Sequence, residues 1–336
     1  MQLSDVWMLF VALALTMYLV LDGYDLGIGV LTLLDRDPHR RREMHELVAW
    51  TWDGNESWLV LLALTLWGGM PLVTGIALPA LYLPLILMLF ALIARGVALE
   101  LLEHHHGWQP VWGTLFGVGS LVAGFCQGAA FGGLVAGFNV RGDTFTGGPF
   151  TFLHHGYAVL TGLTAVALYV LAGSAFLYLK TGGDTQRRAA RTGRVAVATL
   201  TAGMLASWLL ASPAGPLTLH PTAAVRLEIW IVGAVVLAGG AAFALRSFGS
   251  DGRSDRGPAV ATLAVYGGGL LIAGGLLYPT LVPPGITVHA AASPHSSLLF
   301  LMVGVGAAIP IILTYQAYGY WVFRGKLTRR QEATTA

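Results

Sequence analysis

Apolar stretches about as long as a membrane span recur along the whole chain of 336 residues. A transmembrane helix needs roughly 20 predominantly apolar residues, because each residue advances the helix by about 1.5 Å through a hydrocarbon core about 30 Å thick. The pattern predicts nine such helices, near 7–34, 51–73, 78–102, 110–138, 152–179, 194–213, 224–246, 258–280 and 297–323. The connections between them are too short for a further domain, so residues 1–336 are predicted to form one membrane domain.

The composition agrees with an integral membrane protein and argues against several other classes. Hydrophobic residues make up 55% of the chain and charged residues 11%, against roughly 25% charged residues in soluble domains. A net charge of +2 does not favour nucleic acid as a partner. The single cysteine, Cys126, cannot form an internal disulfide or a thiolate metal site and is expected to pack in the core. The predicted fold class is therefore all-α, a polytopic bundle of transmembrane helices.

Lysine and arginine are distributed very unequally between alternate connections. Basic residues near helix ends are retained on the cytoplasmic side of a membrane, and one side of the nine-helix arrangement receives 16 of the 19. Arg141 falls on the other side, Arg226 lies at the outer start of its helix, and Arg95 lies within a span. The N-terminus is therefore predicted outside and the C-terminus in the cytoplasm. The sixteen residues are Arg36, Arg40, Arg41, Arg42, Lys180, Arg187, Arg188, Arg191, Arg194, Arg246, Arg253, Arg256, Arg324, Lys326, Arg329 and Arg330.

Two aspartates, Asp22 and Asp25 in the segment LDGYDLGIG, lie inside the first apolar stretch. A charge at the middle of a membrane costs from ~3 to above ~10 kcal/mol, so such residues usually face a bundle interior or a water-filled path and often handle protons. Their spacing of three places both on one helix face. We expect them to lie on a proton route from the cytoplasm. The alternative is that they cap helix ends beside Gly23 and Gly27, or form hydrogen bonds that serve packing alone.

Further ionisable residues gather toward the predicted cytoplasmic ends of the second and third helices. Asp53 and Glu56, in TWDGNESW, are three apart and share a face. Arg95 and Glu100, in ARGVALE, are five apart and cannot share one, so Arg95 is expected to bridge to another helix. The alternative is that Glu56 and Glu100 simply lie at an interface, while Arg95 extends its charged end to the membrane surface.

All ten histidines lie in connections or at the ends of apolar segments. A haem between transmembrane helices usually takes His or Met ligands from helix interiors, so we expect this chain alone to bind no haem. Mid-span Met17 and Met204 are expected to be packing residues. The triple His104–His106 is more typical of a solvated turn than of a metal site, and no metal site is predicted. The ten are His39, His45, His104, His105, His106, His154, His155, His220, His289 and His295.

Several motifs, in order and over essentially the whole length, resemble subunit II of the cytochrome bd-type quinol oxidases. They are LDGYDLGIG from Leu21, WDGNESWLV from Trp52, RGVALE from Arg95, GSLVAGFCQGAAFGGLV from Gly119, and YPTLVPPGIT with YQAYGYWVFRGK near the C-terminus. The resemblance implies a nine-helix subunit of a terminal oxidase in the bacterial cytoplasmic membrane, paired with a larger haem-bearing subunit I. Together the two subunits would oxidise quinol and reduce dioxygen to water, taking protons from the cytoplasm.

The resemblance also implies roles for single residues. Asp25 of the DGYD motif and Asp53 of WDGN correspond to carboxylates associated with proton entrance toward the haems. Asp22 and Glu56 are included in the predicted proton pathway. For Asp22, in the same motif as Asp25, the alternative is a structural or subunit-contact role. Glu56 stands where some relatives have Gln, and it adds either a titratable group to the inner mouth or an interfacial charge. Residues expected to have a supporting or interface role are Trp52, Asn55, Arg95 and Glu100.

Other implied features concern cofactors, partners and one departure from the family pattern. The complex would carry two b-type haems and one d-type haem, all in subunit I, and a small single-helix accessory subunit is a further expected partner. After YPTLVPPGIT many members resemble T-x-W-D-A, whereas this chain has Thr287, Val288, His289, Ala290 and Ala291. An outward acidic group is therefore missing at this position.

Aromatic residues raise the question of a bound quinone or lipid. Apolar grooves lined by aromatics can shelter either molecule, although an aromatic belt that faces lipid is the more common explanation. The candidates are Trp58, Trp67, Trp108, Trp112 and Tyr82.

Two other functions remain open at this point. Glycine-broken helices with membrane carboxylates are also typical of a stand-alone proton- or ion-coupled transporter with a site near the midplane. A purely structural subunit, which stabilises a haem subunit and offers no proton path, is the second alternative.

Overall fold

The computed structural model describes residues 2–104, 107–210, 223–249, 255–283 and 285–326, and most of its regular structure is helical. His105, His106 and His220, together with Arg253, Arg329 and Arg330, lie outside the described residues. A 3-10 turn, Thr151–Gly156, precedes α7. The helices are α1 Leu3–Leu34, α2 Pro38–Ala49, α3 Trp52–Gly69, α4 Pro71–Ala80, α5 Tyr82–His104, α6 Gln109–Ala136, α7 Tyr157–Lys180, α8 Gly183–Leu210, α9 Ala223–Ser247, α10 Gly257–Leu277, α11 Val288–Ala291 and α12 His295–Val322.

The four short strands form two antiparallel hairpins between helices. The pairs are β1 Val140–Arg141 with β2 Thr144–Phe145, and β3 Thr280–Val282 with β4 Ile286–Thr287. The two hairpins approach each other, since the Phe138 N–H just before β1 donates to the carbonyl of Pro283. They cover the end of the bundle opposite the α1–α2 connection.

Seven of the described helices are long and apolar enough to cross a membrane, and α3 with α4 makes an eighth if the bent pair is one span. The predicted all-helical membrane fold is therefore confirmed. Helix α9 coincides with the predicted span 224–246, but its apolar part in the described residues, Ile231–Ser247, is shorter than a span. The number nine and the orientation of the termini stay predictions.

The second predicted span is interrupted by a sharp bend. Helix α3 ends at Gly69 and α4 begins at Pro71, with an angle of 119° between them. Proline has no N–H to continue a helix, and its ring pushes the preceding residue, Met70, out of helical geometry. The expectation of one continuous helix over 51–73 with a connection at 74–77 is therefore wrong. Ser293 takes up carbonyls freed at the bend, since its hydroxyl donates to Gly68 at 2.7 Å and its N–H to Gly69 at 2.9 Å.

Two other boundaries differ from the hydrophobic pattern. Helix α8 begins at Gly183, inside the stretch 180–193 that was expected to be a connection. Its first turns are amphipathic, with exposed arginines such as Arg187 and Arg191 opposite buried Ala189 and Ala190. Because these charges lower the hydropathy, the apolar pattern alone did not predict that the helix extends into this stretch. Helix α7 begins later than predicted, because the first residues of the predicted span 152–179 form the 3-10 turn.

Helix α1 is the centre of the bundle, and every residue from Asp22 to Thr32 is buried. Small residues allow this, because they let helix backbones approach closely. A Cβ added to Gly27 would lie 1.8 Å from the carbonyl oxygen of Tyr169, and one added to Gly173 would lie 2.6 Å from the backbone nitrogen of Ile28. Helices α1 and α7 therefore cross backbone to backbone at the depth of the two aspartates.

Charged connections meet at one end of the bundle. Arg40 pairs with Asp35 at 2.7 Å and with Asp184 at 3.4 Å, which joins the start of α2 to the start of α8. Lys326, after α12, pairs with Asp255 at 2.6 Å. The Arg40 guanidinium also holds the pKa of Asp35 below its usual range. This end carries connections that the distribution of basic residues assigns to the cytoplasm.

Helix α2 packs against α1 and α5 at this charged end, and it buries His45, a histidine whose pKa is shifted. His45 packs edge-on against Phe116 of α6, with 5.4 Å between ring centroids. Burial lowers the pKa of His45 to about 4, and nearby Arg41 acts in the same direction. The imidazole is therefore neutral in the folded protein at neutral pH.

We predict that Gly27→Ala destabilises the fold by about 1–3 kcal/mol or more, because the added methyl overlaps the α7 backbone. Thermal unfolding of the purified complex measures the effect. Gly267→Ala on α10 is the matched control, since a Cβ there meets nothing within 4 Å. Equal thermal stability of the two variants would contradict the close crossing of α1 and α7.

We predict that His45 makes the protein less stable as pH falls from 6.5 toward 4, because only the unfolded chain then binds a proton at this residue. His45→Phe, which keeps the aromatic contact, should remove about 1–3 kcal/mol of that loss. The measurement is the thermal midpoint of wild type and variant at several pH values. His39→Gln, at an exposed position of α2, serves as control, and an identical pH dependence in wild type and His45→Phe would refute the assignment.

Candidate functional site

A buried ion cluster joins three helices in the middle of the bundle. One nitrogen of the Arg95 guanidinium, Nη2, donates to Asp22 Oδ1 at 2.6 Å and to Glu56 Oε1 at 2.9 Å. Arg95 lies on α5, Asp22 on α1 and Glu56 on α3. The side chains of Arg95 and Asp22 are each 1% exposed, whereas that of Glu56 is 24% exposed. The predicted bridge from Arg95 to another helix is therefore confirmed, and Glu56 is the member that opens toward the surface.

The backbone around Arg95 is shaped by glycines. A Cβ at Gly119 of α6 would lie 2.8 Å from the carbonyl of Ala91, so its absence lets α5 lie directly against α6. On α5 itself, the ring of Trp52 packs over Gly96, 3.0 Å from where a Cβ would be. These contacts fix the depth and direction of Arg95, and they give Trp52 a structural place beside the cluster.

A second node surrounds Asp25, one turn further along α1. Asn55 of α3 donates from Nδ2 to Asp25 Oδ2 at 2.7 Å. The other side of the same amide, Oδ1, accepts from Gln316 at 2.6 Å and from Tyr320 at 3.1 Å, both on α12. The Tyr24 hydroxyl completes the node, lying 2.5 Å from that of Tyr320. Asn55 thus ties Asp25 to α12.

The two aspartates therefore have different surroundings although they share one helix. Asp22 faces a guanidinium, while Asp25 receives a hydrogen bond from a neutral amide. Both residues are fully buried. Two carboxyl oxygens, Asp22 Oδ2 and Asp25 Oδ1, have no hydrogen-bond partner within the described part of the chain.

Two residues predicted for the site lie outside the buried cluster. Asp53 is exposed in the first turn of α3. The side chain of Glu100 is 61% exposed near the end of α5 and pairs only loosely with His104, at 3.4 Å. The spacing rule placed Asp53 on the same face as Glu56, but the helix turns only the inner of the two toward Arg95.

Sequence reasoning missed the uncharged polar residues that connect these carboxyls. Gln127 and Gln316 lie in FCQGAAF and YQAYGY, each an amide within an apolar helix. Polar side chains in such helices commonly hydrogen-bond across the bundle, and that rule alone would have found both. Tyr18 precedes Asp22 by four residues and lies on the same face, so the i,i+4 rule would have identified it.

The residues that the structure describes place no histidine in the interior of a membrane-spanning helix. Their histidines lie on α2, in the 3-10 turn, or at helix ends and connections. Within the described ranges no group of three His, Cys, Asp or Glu side chains could hold a metal ion. Cys126 is buried and free, as expected of a packing residue.

The aromatic residues considered for a quinone or lipid differ in their exposure. Trp58 is fully buried, so the prediction that it lines a groove open to quinone or lipid is wrong. Trp67, Trp108 and Tyr82 are exposed. Tyr82 borders an open apolar groove of about 520 Å³ between α4 and the segment after β2, with Leu78, Pro79, Phe145, Gly147, Gly148 and Pro149.

The acidic group missing after YPTLVPPGIT has a counterpart elsewhere in the structure. His289 of α11 lies 2.8 Å from the Ser4 hydroxyl and 3.6 Å from Asp5 Oδ1. Tyr278 also donates to Asp5, at 3.3 Å. The start of α1 therefore brings a carboxylate to this end of the bundle.

Together these features define an integral membrane protein, a multi-pass helical bundle with a largely buried ion cluster beside its first helix. The sequence model of the family described as cytochrome bd terminal oxidase subunit II matches residues 3–323. The chain belongs to this family, which confirms the resemblance seen in its motifs. It is accordingly a subunit of an oxidoreductase complex and a multi-pass protein of the bacterial inner membrane.

Individual relatives agree over almost the full length. The chain is 27% identical to the cytochrome bd ubiquinol oxidase subunit 2 of Bacillus subtilis, with 99% of both chains covered. It is 28% identical to the cytochrome bd-I ubiquinol oxidase subunit 2 of Escherichia coli K12, covering 97% of this chain and 96% of that protein. A chain of the bd oxidase from Geobacillus thermodenitrificans has the same fold, with a TM-score of 0.69, 12% identity, and coverage of 95% of this chain and 98% of that one.

We predict that Arg95→Met lowers the free energy of unfolding by about 3–5 kcal/mol, because it leaves Asp22 buried without its counter-charge. Adding Asp22→Asn to the same protein should restore part of the loss. Thermal unfolding of the purified complex measures both effects. Arg187→Met, in an exposed pair with Asp184, is the control and should leave stability unchanged. A single variant as stable as wild type would show that the pair does not hold the helices together.

Proposed function

We propose that this chain is subunit II of a quinol:oxygen oxidoreductase, in which it stabilises a haem-bearing subunit I and provides a cytoplasmic proton-uptake path. Membership of the family supports the first part, as do relatives that are named ubiquinol oxidase subunits. Quinol oxidation and oxygen reduction are assigned to the partner subunit. Two b-type haems and one d-type haem are assigned to that subunit as well, as the resemblance of the motifs implies.

The observation that carries the proton path is the balance of charge in the buried cluster. Three carboxyl groups, on Asp22, Asp25 and Glu56, are accompanied by one guanidinium, that of Arg95. If all three carboxyls were ionised, two negative charges would remain uncompensated in the membrane, at a cost of several kcal/mol each. The cluster is therefore expected to hold exchangeable protons, as a delivery path requires.

The exposure of the carboxyls supports one order along the path. Asp53 is exposed at the start of α3, and Glu56 is partly exposed one turn deeper. Asp22 and Asp25 are sealed from solvent. A proton would pass from the cytoplasm past Asp53 and Glu56 to the buried aspartates, and from there toward the partner subunit. Asn55 and Arg95 hold the two ends of this route in place.

The partner subunit is proposed to cover the open sides of α3 and α5, which flank the cluster. Apolar side chains project from both helices, including Val60 and Trp67 on α3 and Phe90 and Ile93 on α5. Together with α1 and α6 these helices form the proposed interface. A quinone or lipid and a small single-helix subunit are further proposed partners of the complex.

The alternative of a purely structural subunit is favoured by one observation. The Asp22–Arg95 pair and the Asn55 node each tie helices together, and both could act only to stabilise the bundle. A stand-alone transporter is displaced by membership of the oxidase family. Co-purification with a haem-bearing partner tests this directly, since a chain isolated alone without haem would not be an oxidase subunit.

We predict that Asp25→Asn lowers quinol-driven oxygen consumption about tenfold or more, because it removes a carboxyl from the path while preserving its shape. Asp53→Asn should reduce turnover in the same direction. The measurement uses the assembled complex, with haem content checked by its absorption spectrum. Asp143→Asn, in the exposed turn between β1 and β2, is the control. Unchanged turnover of assembled Asp25→Asn and Asp53→Asn complexes would support the structural alternative instead.

A further inference from the structure

A chain of hydrogen bonds runs from α7 through α6 to α1 and ends beside Asp22. The Tyr169 hydroxyl donates to Gln127 Oε1 at 2.5 Å, and Gln127 Nε2 donates to the Tyr18 hydroxyl at 2.6 Å. Tyr18 precedes Asp22 by one helical turn on the same face of α1. None of these three residues belongs to the proton path proposed above.

The chain has a direction. Because the Tyr18 oxygen accepts from the Gln127 amide, its own O–H is free to donate to another acceptor. The acceptor one turn further along α1 is Asp22, whose Oδ2 is buried and has no hydrogen-bond partner in the described residues. An ionised carboxylate only accepts hydrogen bonds, so a donor aimed at this oxygen favours the charged form of Asp22.

Packing holds the far end of the chain rigid. The ring of Tyr169 lies between two glycines, with Cδ1 3.0 Å from a Cβ built on Gly23 and Cδ2 2.9 Å from one built on Gly124. Any larger residue at either position would displace the ring. The hydroxyl of Tyr169, and through it the amide of Gln127, is therefore fixed relative to α1.

We propose that Tyr18, held by Gln127 and Tyr169, is a positioning residue that keeps Asp22 as the permanent anion beside Arg95. The exchangeable protons of the cluster then reside on Asp25 and Glu56. This inference rests on the proposed proton path and divides its carboxyls into one fixed charge and two carriers.

All ionisable groups around Asp22 enter this balance. Arg95 faces it from α5, Glu56 lies on α3 and Asp25 on its own helix, and Tyr169 on α7 and Tyr266 on α10 are close enough to interact with its charge. Arg95 alone does not decide where the protons reside, because the same Nη2 serves both Asp22 and Glu56. Asp22 gains a second donor from Tyr18, whereas Asp25 has the Asn55 amide.

The test uses infrared spectra of the purified oxidase complex at pH 7, where a protonated carboxyl has a C=O stretching band that a carboxylate lacks. The contribution of Asp22 is the difference between each protein and the same protein carrying Asp22→Asn. Wild type should show no such band from Asp22. The variants Tyr18→Phe and Gln127→Leu should each gain an Asp22 band equivalent to up to one protonated carboxyl. Without the Tyr18 donor, Arg95 can stabilise the ionised form of Glu56 instead, and the proton then resides on Asp22.

The control is Tyr178→Phe, a buried tyrosine of the same helix as Tyr169 that packs against Phe248. It should gain no Asp22 band, and haem content should confirm that every complex is assembled. A protonated Asp22 in wild type, or no gain in both Tyr18→Phe and Gln127→Leu, would overturn the proposal. Full turnover of Asp25→Asn would instead refute the proton path, and the infrared result for Asp22 would still stand.

Discussion

The pair of Arg95 and Asp22 is the constraint on which the bundle depends. Neither charge is tolerable in a membrane interior without the other, so α1 and α5 must lie at depths that let the two side chains come within 2.6 Å. Glu56 draws α3 to the same point. Glycines then permit the close backbone contacts that this meeting needs, at Gly119 beside Arg95 and at Gly27 beside α7. Charge fixes the depth of the helices, and small residues fix their separation.

The helical fold was predictable because the length and hydropathy of an apolar stretch identify a membrane-spanning helix. The pattern failed where local chemistry overrides it. Pro71 ends α3 within an apolar run, so hydropathy alone gave no reason to expect the break at Met70. The charged start of α8 is helical for the opposite reason, since its polar face is solvated and its alanines pack inward. In both places backbone geometry, not average polarity, decides the boundary.

The charged residues of the site were predictable from the sequence, whereas their hydrogen-bond partners on other helices were not. A carboxyl or guanidinium inside a span is rare enough to be noticed, which is why Asp22, Asp25 and Arg95 were identified from sequence. Spacing could not tell that Asp22 would face Arg95 while Asp25 faced Asn55, because partners on other helices depend on rotation and tilt. Gln127 and Gln316 carry no charge and stand out little, yet they determine how each carboxyl is held.

The bend at Met70 leaves helices of very different length side by side. Helix α1 has 32 residues and α3 has 18, which correspond to about 48 Å and about 27 Å. The shorter helix is about as long as the hydrocarbon core is thick, about 30 Å, so α1 must tilt or extend beyond the lipid. If α1 tilts to bury its length, the energetic cost of that tilt would vary with the acyl-chain length of the surrounding lipid.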